Sequence, residues 1–239
     1  MRKPQFTNNE IYHIYNRGVE KRNIFLDDQD HFRFVHDLFE FNNKDQVLNV
    51  GYYFNSQSME VEPQYFEQRE RKPRKLLVEI LTFCLMPNHY HLLLRQKTEK
   101  GTIQFMQKLG TGYTMYFNQK NKRVGPLFQG RFKAIHINKQ KYLDYLLYYI
   151  HFNPLDLTIP EWREGKIKNY QKAIDSLNFY RWSSHLDYIG IKNFPSVTQR
   201  EFLLKVFGGE KNYKESIGNW FKQMEERKEV EDFRKTTLE

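Results

Sequence analysis

At 239 residues the chain is long enough for one sizeable core, or one core with an appendage. Its formal charge of +9 favours a polyanionic partner, because Lys and Arg neutralise phosphates and release condensed counterions, and an aromatic content of 16% adds side chains able to stack unpaired bases. Cys84, the single cysteine, excludes an intrachain disulfide and Cys-rich zinc modules; no apolar run is long enough for a membrane span and no apolar signal core follows Met1-Arg2-Lys3-Pro4, so a cytoplasmic protein with no membrane partner is expected.

Ile11 to Tyr15 is β-branched and aromatic and predicts a first strand, with turn chemistry in Asn16-Arg17-Gly18. Acids at Asp27, Asp28 and Asp30 precede Phe32, Phe34, Val35, Leu38 and Phe39 at helical spacing, predicting a helix over about 28–42. From about 43 to 75 the chain is polar and charged and reads as a loop-like insertion, in which Tyr52 to Phe54 fit a short strand. Leu76 to Met86 and Tyr90 to Leu94 predict two antiparallel strands joined at Met86-Pro87-Asn88. Ile103 to Asn121 reads as a helix despite Gly110 and Gly112, Phe132 to Ile137 as a strand, and Lys139 to Phe152 as a strong helix ended by Pro154. Beyond about Leu155 a loop is expected, then a short helical stretch near Trp182 to Tyr188 and two helices at about 198–206 and 213–227.

Along a strand, His89, His91 and Leu93 point one way and Tyr90, Leu92 and Leu94 the other, so two imidazoles sit side by side as in a pair of ligands for one cation. A bare His-x-His also fits two half-buried histidines bonded to backbone. Neither an alternating third histidine nor His-Glu-x-x-His is present, which leaves a phosphoryl-transfer site with a cation and a nucleophile from another element. On the helix 139–152, Leu143, Leu146, Leu147 and Ile150 form the apolar face, and Tyr142, Tyr149 and Asn153 share a stripe at its edge. Asn153, one turn beyond Tyr149, is placed either to complete a metal shell through its amide oxygen or simply to end the helix before proline.

Five pieces in order, Tyr12-His13-Ile14-Tyr15-Asn16-Arg17-Gly18, Leu85-Met86-Pro87-Asn88-His89-Tyr90-His91-Leu92-Leu93, Gly130-Arg131-Phe132-Lys133, Tyr149-Ile150-His151-Phe152-Asn153-Pro154 and Arg181-Trp182-Ser183-Ser184, resemble the REP-associated tyrosine transposases of the single-tyrosine HUH superfamily. The resemblance spans about Tyr12 to Tyr188. It implies an α+β, ferredoxin-like antiparallel sheet with helices packed on one face, the histidines on a middle strand and the tyrosine helix beneath. A catalytic domain over 5–190 and a helical C-terminal extension over 191–239 follow. His89 and His91 match the family's metal pair, Tyr149 its nucleophile and Asn153 the position of a polar third ligand, for Mg²⁺ or Mn²⁺.

The implied activity is that of a metal-dependent single-stranded DNA endonuclease and strand transferase working through a 5′-phosphotyrosine. Its partner would be single-stranded or hairpin DNA, and Arg17, Lys21, Arg22, Arg131 and Lys133 suit the strand's phosphates, although each also fits a solvated surface charge. A catalytically inactive DNA-binding regulator and a phosphodiesterase using water are the competing readings. Monomer and homodimer are both compatible with the sequence.

Overall fold

The computed structural model describes residues 4–45, 52–55, 60–63 and 73–222. Strand β1 (Ile11–Arg17) is followed by helix α1 (Asp28–Glu40), the short strands β2 (Tyr52–Asn55) and β3 (Glu60–Pro63), and the long strands β4 (Val78–Met86) and β5 (His89–Gln96). Then come α2 (Gly101–Lys120), β6 (Lys133–Ile137) and α3 (Gln140–Phe152). The main sheet is antiparallel throughout, in the order β4-β5-β1-β6. With β2 and β3 set aside, this β-α-β-β-α-β chain order and strand order are those of a ferredoxin-like sheet. The β2–β3 hairpin lies within the charged insertion and contains the short strand expected at Tyr52 to Phe54.

Helices cover both faces of the sheet, where one covered face was expected. The cause is that β4 and β5 are apolar on both sides and need cover on both. Ile80, Phe83, Leu85, Tyr90, Leu92 and Leu94 pack with residues of α1 and α2, such as Phe34, Leu38, Phe105 and Leu109. Leu81, Cys84, Met86 and Leu93 pack with Leu143, Leu146, Leu147 and Ile150 of α3. α1 starts on Asp27, whose carboxylate accepts from the Asp30 amide at 3.0 Å. Lys120 at the end of α2 ties back to Asp27 and Asp30 at 2.7 Å, so the two helices are joined end to start. Gly112 lets them approach: a Cβ there would lie 2.5 Å from the Phe41 ring.

After α3 the chain turns through two short 3₁₀ segments, Asn153–Leu157 and Pro160–Glu164, into α4 (Tyr170–Phe179), α5 (His185–Tyr188), α6 (Glu201–Phe207) and α7 (Glu210–Lys222). α4 occupies a stretch that reads as loop in the sequence; its start is fixed by Asn169, which accepts from the Lys172 amide at 2.9 Å, and it buries only Ala173 and Leu177. Two apolar anchors in ten residues are too few to announce a helix by periodicity. Of the expected helix at 213–227, the part beyond Lys222 lies outside the described residues. α6 and α7 share the α3 core through Leu203, Tyr213, Ile217, Trp220 and Phe221.

The Arg181-Trp182-Ser183-Ser184 segment pairs with the outer edge of β4, Leu85 N donating to Trp182 O and Ser184 N to Phe83 O. Its serine enters a buried polar hub. His151 Nε2 lies 2.7 Å from Thr82 Oγ1 and 2.8 Å from Ser184 Oγ, and His151 Nδ1 lies 2.7 Å from the Tyr213 hydroxyl. This network ties β4, α3 and α7 together, and every member is buried.

Candidate active site

In the register of the sheet, Arg17 stands opposite His89, Tyr15 opposite both His91 and Lys133, and His13 opposite Leu93 and Ile135. Side chains alternate along each strand, so the odd-numbered residues of β1, β5 and β6 share one face, the face that α3 covers. Beyond the end of α3's cover this face opens into a cavity of about 320 Å³. It is lined by Tyr15, Asn16, Arg17, Lys21, Asn88, His89, His91, Gln129, Lys133, Tyr149, Asp156 and Arg163.

Each histidine of the pair has one ring nitrogen already engaged. His89 Nδ1 lies 2.6 Å from Asn88 Oδ1, and His91 Nδ1 lies 2.9 Å from His13 Nε2. These bonds leave the Nε2 atom of each ring unused by them, and His89 makes a further hydrogen bond to Asn153. Burial lowers His89 to about 4, only partly offset by its hydrogen bond to Asn153 and the charge of Asp156. Burial together with the neighbouring His89 and His13 holds His91 well below its ordinary value. Both are neutral near pH 7, as a ligand must be.

α3 delivers Tyr149 edge-on to His91, with ring centroids 5.6 Å apart. Its neighbour Tyr148 points into the C-terminal helices, where it stacks on Tyr213 and its hydroxyl lies 2.5 Å from Ser216 Oγ. Tyr142 packs at the periphery of the same core, away from the cavity. Asn153 keeps helical dihedrals (φ −48, ψ −38) although it precedes Pro154, a position where that conformation is disfavoured. Its Nδ2 donates to the Tyr149 carbonyl at 2.7 Å, and its Oδ1 accepts from Arg163 at 3.2 Å and meets His89. Among the described residues no three His, Cys, Asp or Glu side chains gather as a metal site. Asn153 brings a neutral amide to His89 in this cavity wall.

Arg163 and Asp156, which the sequence reading missed, complete the cavity wall. Arg163 Nε donates to Asp156 Oδ1 at 2.7 Å, and its guanidinium lies 5.2 Å from the centre of the Tyr149 ring. Burial opposes its charge, but hydrogen bonds to Asp156 and to Tyr149 outweigh that and raise it further above its ordinary value. A fixed cation therefore stands beside the phenol. The only signal in the sequence was a charged 3₁₀ turn after the helix, which has no periodicity to read.

Of the expected DNA contacts, Arg17, Lys21 and Lys133 line the cavity, and Arg17 is held by Gln129. Arg131 lines a second groove beside α2 that shares Asn16 with the cavity. Arg22 lies outside both and pairs with Glu20 at 3.1 Å. Gly18 makes this corner possible: a Cβ there would sit 2.2 Å from the Arg22 carbonyl oxygen, and the Gly18 amide donates to Asn88 O in the β4–β5 turn. Among the described residues no helix is long and apolar enough to cross a membrane.

Comparison with known proteins gives one family. Residues 47–153 match the family model described as "Transposase IS200 like". No curated protein matches the chain. A solved structure described as a REP-associated tyrosine transposase bound to a REP hairpin is similar at 12% identity, covering 81% of this chain and 88% of that chain with a TM-score of 0.48. The matched segment is less than half of the chain and holds His89, His91, Tyr149 and Asn153.

Proposed function

We propose that this protein is an IS200-like transposase that nicks and rejoins single-stranded DNA, with Tyr149 as nucleophile and His89, His91 and Asn153 as ligands of a divalent cation, Mg²⁺ or Mn²⁺. The observation that carries this reading is the meeting of Tyr149 with His91 and Arg163 in one cavity while the adjacent Tyr148 is committed to the C-terminal helices. The donor set fits such a cation: two neutral imidazoles whose Nδ1 atoms take the Asn88 and His13 contacts, and one amide oxygen beside His89. When bound, the cation would polarise the scissile phosphate.

The chain's own residues do the rest. The Tyr149 oxygen attacks phosphorus, its proton passing to solvent; a bond from phosphorus to the phenolic oxygen forms and the bond to the 3′-oxygen breaks. The leaving oxygen takes up a proton and becomes a free 3′-hydroxyl, and the 5′-phosphate stays on Tyr149. Attack by a 3′-hydroxyl on that link reverses the step without an external energy source. Arg163, which lines the cavity, would stabilise charge developing on the phosphate, and Arg17, Lys21 and Lys133 would hold the flanking phosphates. A cavity of about 320 Å³ has room for a phosphate with its sugar, which suits a strand that is unpaired where it is cut. A hairpin with a single-stranded flank meets that condition.

Incubation of the full chain with labelled hairpins bearing single-stranded flanks and Mn²⁺, followed by denaturing electrophoresis, tests the reading. A protein–DNA adduct that survives detergent is expected. Binding without an adduct would assign the fold to a regulator instead, and cleavage without an adduct would assign it to hydrolysis by water.

A further inference from the structure

His13 has no place in the chemistry above, yet it is the residue on which His91 rests. It is fully buried in β1, it is absent from the cavity lining, and its Nε2 meets His91 Nδ1 at 2.9 Å. The two rings lie nearly parallel, 19° apart, with Tyr149 edge-on to both at 6.3 Å from His13 and 5.6 Å from His91. The other nitrogen of His13, Nδ1, is buried with no hydrogen-bond partner among the described residues. Such an orphan costs about 1–3 kcal/mol, so the fold carries a polar ring where an apolar one would pack more cheaply.

A neutral imidazole carries one proton. If His91 is to offer Nε2 to a cation, that proton sits on Nδ1 and needs an acceptor, and the atom within reach is His13 Nε2. His13 must then carry its own proton on the orphaned Nδ1. We propose that His13 is a positioning residue that accepts the His91 Nδ1 proton, thereby fixing the tautomer and the angle of His91 for metal binding. The usual outer partners of a metal-bound histidine are carboxylates or carbonyls. A neutral imidazole in that place adds no negative charge behind the site, which keeps it attractive to a phosphate. His13 cannot act as a ligand itself, because it lies behind His91 and away from the cavity.

The inference rests on the metal reading of His89 and His91, and titration calorimetry with Mn²⁺ separates the two. His13→Leu should weaken Mn²⁺ binding about 10- to 100-fold, and His13→Gln, whose amide oxygen can accept the same proton, should restore most of it. Unchanged affinity in His13→Leu, or equal loss in both variants with melting temperatures near the wild type, overturns the role of His13 alone. No binding in the wild type, or equal binding in His89→Ala/His91→Ala, overturns the metal site and this inference with it. A reading that needs no variant comes from nitrogen-15 spectra of histidine-labelled wild type with Zn²⁺: a proton on His91 Nδ1 and metal on Nε2 is expected, and the opposite tautomer refutes the proposal.

Discussion

Two adjacent phenols on α3 allow a crossed experiment. Tyr148→Phe removes a hydroxyl that bonds Ser216 Oγ at 2.5 Å, while Ser216 still donates to the Tyr213 carbonyl at 2.6 Å and so is not orphaned. One net hydrogen bond is worth about 0.5–1.5 kcal/mol, and at about 2–4 °C per kcal/mol for a chain of this size the melting temperature should fall by roughly 1–6 °C. DNA adduct formation should be unchanged, because the hydroxyl points into the C-terminal helices. Tyr149→Phe removes a hydrogen bond to Arg163, which keeps Asp156 and Asn153 as partners, so its melting temperature should fall over the same range, but here the adduct should disappear. The assay is denaturing electrophoresis of a labelled single strand with Mn²⁺, run beside thermal melts of the same preparations. An adduct formed by Tyr149→Phe, or abolished by Tyr148→Phe without unfolding, refutes the assignment of the nucleophile.

Acid should destabilise the protein: burial lowers His13 to about 3 and His185 to about 4, and holds His151 well below its ordinary value, so below pH 6.5 the unfolded chain takes up protons that the folded chain refuses. Stability present above pH 6.5 is then lost as pH falls, by about 1.4 kcal/mol per histidine at pH 5.5 and about 4 kcal/mol for the three, and a melting temperature flat from pH 7 to 5.5 would contradict this. Two glycines of α2 should respond with opposite signs in denaturant titrations. Gly112→Ala drives a methyl into the Phe41 ring and should cost about 1–3 kcal/mol, whereas Gly110→Ala meets nothing within 4 Å and should gain about 0.5–1 kcal/mol. Affinity for a single strand should fall as salt rises, and Lys133→Ala should reduce the logarithmic salt slope by about 0.7; an unchanged slope would remove Lys133 from the phosphate track.

The elements of the sheet were legible because each announces itself locally. β1, β4, β5, α2 and α3 are long and strongly patterned, and proline or turn residues bound them, so their existence and the shared face of His89 and His91 followed from periodicity alone. The order and spacing of the motifs carried the family resemblance. Periodicity could not say which strand lies beside which, and that is what makes the site: His13, 78 positions before His91, becomes its hydrogen-bond partner only when β1 pairs with β5. In the sequence only helix geometry and family spacing separate Tyr148 from Tyr149, whereas that Tyr148 is held by Tyr213 and Ser216 of α7 is decided by tertiary packing. Arg163 and Asp156 sit on a short turn with no repeating pattern, and their place in the cavity is set by how that turn folds back over the end of α3. Local patterning specifies elements because neighbouring residues share one backbone geometry, whereas the site is assembled by contacts between residues far apart in the chain, and only tertiary packing decides those.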